Sequence, residues 1–249
     1  MGEKNRLDLI VAEKYGCGRG HARELIEAGL VSRGGKVLYK PGVSCDPDGV
    51  AVDWHGKKYV SRGGLKLERA LDFFGIDVSG AVCADVGAST GGFTDCLLQR
   101  GAKKVYAIEN GSGQLHESLR RDPRVISLEN TDIRAADAAV LPRFDVVTID
   151  VSFISLTKVL PYAKGLLAPG GTALCLVKPQ FEAGKGAVGK NGVLRDTKAR
   201  RRAVETVAGF AREQGLDVLG ETESPITGGD GNVEYWLNLT NPSDIKQPL

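Results

Sequence analysis

Apolar positions in the first fifty residues recur at helical spacing. Leu7, Ile10, Val11 and Tyr15 fall on one stripe of LDLIVAEKY, and Ala22, Leu25, Ile26 and Leu30 on one stripe of GHARELIEAGLV. That spacing predicts two amphipathic helices, the second stopping at Gly29. VSRGGKVL then reads as strand, Gly-Gly turn and strand, and GVAVDW as a further strand. The stretch SRGGLKLERALDFFG predicts a helix with Leu65, Leu67, Ala70, Leu71 and Phe74 available for burial. From residue 81 the pattern changes to short apolar runs separated by longer stretches. AVCADVG, KKVYAIE, RVISLEN, FDVVTIDVS, GTALCLVKP, LDVLGETES and NVEYWLNLT read as seven strands. SFISLTKVLPYAKGLL and RDTKARRRAVETVAGFAREQG read as helices between them. Such alternation predicts a mostly parallel sheet with helices on both faces. PITGGDG is too short for a crossover helix, so the last two strands are expected to be antiparallel. The resulting division is a small α+β domain over 1–56, a linker over 57–60, an α/β domain over 61–241 and a loose tail over 242–249.

The α/β domain is organised around Ala81–Gly101, which reads as a buried strand, a glycine-rich turn over Gly87–Gly92 and a helix from near Phe93. Glycines let a backbone approach a ligand closely, and the free N–H groups of the following helix face it. Asp85 ends this strand and Glu109 ends the next, where a carboxylate can take ribose hydroxyls. The dinucleotide fingerprint G-x-G-x-x-G is not met, because the turn runs Gly87-x-x-x-Gly91-Gly92. The looser form D-x-G-x-x-x-G-G-F resembles the first motif of S-adenosylmethionine-dependent methyltransferases. Gly184–Asn191 nearly spells a P-loop but lacks the closing Ser or Thr, and reads instead as a mobile substrate loop.

Composition narrows the classes. The chain has 249 residues, 42% hydrophobic and 26% charged, as in ordinary soluble domains. No apolar run reaches the ~18 residues of a membrane span, and the N-terminus has no signal-peptide pattern, so the expected location is the cytoplasm. Five dispersed cysteines and three scattered histidines predict reduced thiols and no metal. Net charge is only +2, but Lys and Arg exceed Asp and Glu by four over residues 1–69 and fall short by two over the rest. A second basic run lies at Lys185–Arg202.

Residues 1–56 resemble the S4-type RNA-binding domain through Arg6-Leu7-Asp8, Arg19-Gly20-His21-Ala22-Arg23, Ala28-Gly29-Leu30-Val31 and the Gly35-Lys36-Val37 turn. The resemblance implies that Arg6, Arg19, Arg23, Lys36 and Lys40, with Lys57, Lys58 and Arg62 beyond them, face structured RNA. Such contacts neutralise phosphates and read shape. Open α/β sheets bind ligands at the carboxyl ends of their strands. Asp150 and Lys178 end apolar strands there, and Glu234 follows the Gly-Gly-Asp-Gly link. Lys66, Asp150, Lys178 and Glu234 resemble the Lys-Asp-Lys-Glu tetrad of FtsJ-like ribose 2′-O-methyltransferases. Their surroundings match too: SRGGLKL, DVSFISL, VKPQFE and GNVEY. With the N-terminal module, the chain resembles the TlyA (hemolysin A) family over about residues 5–240.

The resemblance implies a Rossmann-like methyltransferase domain, a seven-stranded, mostly parallel sheet with an antiparallel last strand. It implies S-adenosylmethionine as cofactor and the ribose 2′-hydroxyl of cytidine in ribosomal RNA, or in a ribosomal subunit, as substrate. Asp85, Gly87, Ala88, Ser89, Thr90, Gly91, Gly92 and Phe93 are then expected at the methionine end, Glu109 at the ribose, and Asn130 or Asp132 at the adenine. Lys178 is expected to activate the hydroxyl, by taking its proton or by staying protonated and stabilising the alkoxide, with Lys66 as neighbouring cation, while Asp150 and Glu234 orient the lysines. An RNA-binding assembly factor without turnover is the alternative. A membrane-lysing protein fits less well, lacking a membrane span or a strongly amphipathic cationic helix.

Overall fold

The structure is a computed structural model that describes residues 4–27, 29–53, 58–135, 140–184, 186–189, 191–228 and 231–243, the side chains of His21 and Glu24 excepted. The chain forms two compact units, residues 1–65 and 66–249.

In the first unit, β1 (Asn5–Arg6) leads directly into α1 (Leu7–Tyr15), followed by α2 (Arg19–Glu27). Next come β2 (Val31–Arg33), β3 (Lys36–Val37), β4 (Ser44–Cys45) and β5 (Val50–Val52). The strands order as β3-β2-β5, with β1 paired separately and antiparallel to β4. The predicted stripes form the core: Leu7, Ile10, Val11, Ala22, Leu25 and Ile26 pack with Val31, Cys45 and Val50. The β1–β4 pair is absent from the sequence reading, since two-residue strands leave no periodicity to read. Of the elements expected here, Ala28 and Trp54 lie outside the described residues.

Helix α3 (Arg62–Phe74) contains the division between the units. The second unit then alternates: β6 (Val82–Val86), α4 (Gly92–Gln99), β7 (Lys104–Ile108), α5 (Glu117–Arg120), β8 (Val125–Leu128) and β9 (Phe144–Ile149). A 3-10 turn (Leu156–Lys158), α6 (Leu160–Leu166), β10 (Leu167–Val177), α7 (Pro179–Glu182), α8 (Thr197–Glu213), β11 (Asp217–Glu223) and β12 (Tyr235–Thr240) complete it. The seven strands order as β11-β12-β10-β9-β6-β7-β8. All neighbours are parallel except β12, which is antiparallel to both β10 and β11. The expected seven-stranded Rossmann-like sheet is therefore present. Apolar side chains of β6, β9, β10 and β12 meet α6 and α8 in its core, around Phe144, Ile149, Leu160, Val204 and Leu237.

Two features position the site. Because β12 runs against its neighbours, its first residues lie at the edge where the parallel strands end; Tyr235 pairs with Val177 and with Glu223. Second, SFISLTKVLPYAKGLL is not one helix. Residues 151–155 form a loop, and α6 starts only at Leu160, with Pro161 in its first turn. Proline belongs in a first turn and disrupts a helix interior, so the regular helix begins there. The linker residue Lys57 and tail residues 244–249 lie outside the described residues.

Candidate active site

At the carboxyl edge of β6 the chain turns through Gly87, whose φ is +83°. A Cβ there would lie 2.4 Å from the Asp150 carbonyl oxygen, so only glycine lets this turn sit against the end of β9. Asp85 lies behind the turn, 1% exposed. Its Oδ2 accepts from the Thr94 N–H at 2.9 Å and the Thr94 hydroxyl at 2.7 Å, and its Oδ1 from the Thr148 hydroxyl at 3.1 Å. The carboxylate therefore ties β6, β9 and the first turn of α4 together. Burial pushes its pKa up to about 6; the Thr94 and Thr148 hydrogen bonds pull the other way, and the Asp150 charge adds to the rise.

Beyond the turn lies a cleft of about 630 Å³, within the roughly 300–1,000 Å³ of small-molecule sites. Of the cofactor residues read from the sequence, Gly87, Ser89, Glu109 and Asp132 line it. Glu109 is pre-set: it accepts from the Ser89 N–H at 2.9 Å and the Gly111 N–H at 2.8 Å. Asp132 is gripped by the Arg134 guanidinium, which with its own N–H holds that carboxyl below the usual range. Ala88, Gly91, Gly92 and Phe93 are buried, Phe93 with its ring 5.5 Å from that of Trp236. Thr90 is exposed and its carbonyl accepts from His116 N–H; Asn130 is exposed with φ +52°. Gln114, Ser152 and Phe153 also line the cleft and were missed. Gln114 accepts from the Ser89 hydroxyl at 3.2 Å; the only signal for it was its place in the loop after β7. A glycine turn, a fixed carboxylate on the second strand and this volume fit S-adenosylmethionine.

The four charged residues come together beside Asp150, which lines this cleft. Lys66 on α3 is 8% exposed and Glu234 2%; Lys66 Nζ donates to Glu234 Oε2 at 2.5 Å. Lys178 Nζ lies 2.6 Å from Asp150 Oδ1, an ion pair outside hydrogen-bond geometry, and donates to Ser152 Oγ at 2.8 Å. Burial raises the Glu234 carboxyl above its ordinary value against the pull of Lys66; the charges of Asp150 and Lys178 also reach it. The two ion pairs thus share one electrostatic site. Gly228 makes room for it, since a Cβ there would lie 2.6 Å from Glu234 Oε1. Asn232, 2% exposed, accepts from Leu194 N–H at 2.9 Å and donates to Gly192 O at 3.0 Å, tying the glycine-rich loop to the strand start that carries Glu234. In that loop Lys185 and Lys190 lie outside the described residues.

The residues expected to face RNA fall in the first unit. Arg23, Lys36 and Lys40 are exposed. Arg6 and Arg19 each place Nε 3.0 Å from the buried Asp8 carboxylate, and the Arg6 hydrogen bonds above all bring Asp8 down to about 2. Both arginine side chains remain about half exposed, at 48% and 53%. Lys58 is exposed over the Tyr59 ring at 5.4 Å, and Arg62 lies 3.6 Å from Glu27. Lys57 is outside the described residues. Among the described residues no cluster of metal-ligating side chains occurs, and no helix is long and apolar enough to cross a membrane.

The profile of the FtsJ-like methyltransferases matches residues 59–241, and that of the S4 domain residues 5–50. A 16S/23S rRNA (cytidine-2′-O)-methyltransferase TlyA of Mycobacterium tuberculosis is 44% identical over 248 residues, covering 98% of this chain and 92% of the relative. Hemolysin A of Brachyspira hyodysenteriae is 42% identical over 236 residues, covering 92% of this chain and 97% of the relative. A solved structure from Streptococcus thermophilus, labelled a hemolysin, superposes with a TM-score of 0.74 at 40% identity, covering 99% of this chain and 93% of the other. With its glycine turn, its two lysine–carboxylate pairs and these relatives, the chain belongs to the FtsJ-like methyltransferase family and, within it, to the TlyA proteins that carry an N-terminal S4 domain.

Proposed function

We propose that this chain methylates the ribose 2′-hydroxyl of cytidine in ribosomal RNA, with residues 1–56 binding RNA and residues 61–241 performing the transfer. The carrying observation is the pair of ion pairs, Lys66–Glu234 and Lys178–Asp150, set together beside the cleft. When bound, S-adenosylmethionine supplies a methyl group activated on a sulfonium. Glu109 holds its ribose from a position fixed by two backbone N–H groups, and the Gly87 turn receives the methionine end. Lys178 meets the 2′-hydroxyl and stabilises the negative charge growing on its oxygen as the O–CH3 bond forms and the S–CH3 bond breaks to leave a thioether, the hydroxyl proton passing to solvent. Asp150 and Ser152 hold Lys178 there, while Glu234 holds Lys66 as the neighbouring cation. Phe153 offers a 92% exposed ring beside Ser152, suited to stacking an unpaired base, a contact worth about 1–3 kcal/mol. The substrate is rRNA, either free or within a subunit or assembled particle.

The test is transfer of labelled methyl to naked rRNA, separate subunits and whole ribosomes. Transfer to at least one of these is expected, and Lys178→Ala is expected to lower the rate by about 10²–10³-fold with cofactor affinity retained. Tight binding of cofactor and RNA without transfer would favour an assembly factor instead.

A further inference from the structure

The segment 178–182 and the loop 150–156 are joined residue by residue. Lys178 meets Asp150 and Ser152. The Phe181 ring lies 5.1 Å from the Phe153 ring. Then Glu182 accepts from the Ser155 hydroxyl at 2.5 Å and from the Leu156 N–H at 2.8 Å. The contacts run in sequence order on both sides, and Glu182 is the outermost.

A cap for the 3-10 turn does not require Glu182. Ser155 Oγ already accepts from the Thr157 N–H at 3.2 Å and caps the turn from within its own loop. Glu182 instead spans two loops that follow different strands. Its partial burial raises its carboxyl above the ordinary value, against the Ser155 and Leu156 hydrogen bonds, a cost that a solvent-facing cap avoids. The loop it grips also holds Phe153 at φ +64°. A non-glycine residue keeps that conformation only where its surroundings enforce it.

We propose that Glu182 is a positioning residue for methyl transfer. By clasping Ser155 and Leu156 it fixes the loop 150–156, so that Asp150 and Ser152 hold the Lys178 ammonium at the reacting hydroxyl. The inference rests on the role of Lys178 proposed above; Glu182 itself touches no reacting atom.

The test uses the full chain with Glu182→Ala, Glu182→Gln, Ser155→Ala and the double alanine variant, reading kcat, RNA KM and cofactor Kd. Glu182→Ala should lower kcat by about 10- to 100-fold, the scale of a misplaced catalytic group, and leave RNA KM and cofactor Kd in place. Glutamine keeps an acceptor for Leu156 N–H and a donor for Ser155 Oγ, so kcat should recover to within about threefold of wild type. The double variant should be no slower than Glu182→Ala, because both changes open one clasp. If Glu182→Ala does not fold, Ser155→Ala carries the test and should lower kcat alone. Wild-type kcat in the alanine variants overturns the clasp, as does equal loss in the alanine and glutamine variants or a loss confined to KM or Kd. Absence of any Lys178-dependent transfer in the wild-type chain would overturn the reading of Lys178, and the clasp with it.

Discussion

Charges removed from water must be matched, and the residues of the site are matched in two different ways. Lys66 and Glu234 neutralise each other in burial, where breaking one partner leaves a charge stranded. Asp85 has no cation among its hydrogen-bond partners; three hydroxyl and amide donors serve it instead. Burial nonetheless raises its pKa from 3.8 to about 6. For an acid raised on folding, the native state binds the extra proton between those values, so this group's contribution to stability is full below pH 3.8 and is lost as pH rises through 6. Replacing Asp85 with Asn should therefore flatten the fall in thermal midpoint between pH 4 and 6, measured by calorimetry; an unchanged slope would show that Asp85 does not titrate there. At this scale the chemistry-bearing residues were legible because each stands in a distinctive context, as Lys178 does in VKPQFE. Asp85 was legible as a strand-end carboxylate, but its partners, Thr94 and Thr148, were not. Thr148 comes from a strand more than sixty positions away, and no local pattern encodes a cross-strand hydroxyl.

At the scale of elements, the candidate site is assembled from helix α3 and loops at one sheet edge, and the fixing of the loops is what remains hidden in a sequence. Alternation made β6 to β12 legible. It did not reveal that SFISL breaks away from its helix, because its apolar spacing stays helical while Asp150, Ser152 and Ser155 are drawn into contacts with residues 178–182. Nor did spacing single out Asn232, whose side chain satisfies a donor and an acceptor of the loop before α8. Asn232→Ala leaves Leu194 N–H and Gly192 O without these partners, a cost of about 1–3 kcal/mol. The Leu194 amide should then exchange with solvent about 5- to 150-fold faster, with slower methyl transfer and unaltered cofactor binding. Unchanged exchange at Leu194 would mean that the loop is held by other contacts.

For the whole molecule, the division of labour follows from composition as much as from fold. The first unit is small and carries the basic excess, and its two helices and short strands close, among the described residues, around Leu7, Val11, Ile26 and Val31. The second unit carries the large core and the reaction. The sheet order was only partly legible: the short PITGGDG link forces an antiparallel pair, but link length cannot say that β12 inserts between β10 and β11. That insertion brings Glu234 to the edge where Lys178 follows β10, the juxtaposition on which the proposed function rests. The central claim is that this edge directs the methyl to a ribose oxygen. The most direct measurement is digestion of the labelled rRNA product to nucleosides, followed by chromatography and mass spectrometry. The account predicts the label in 2′-O-methylcytidine, absent when Lys178 is Ala; label in a base-methylated nucleoside would contradict it.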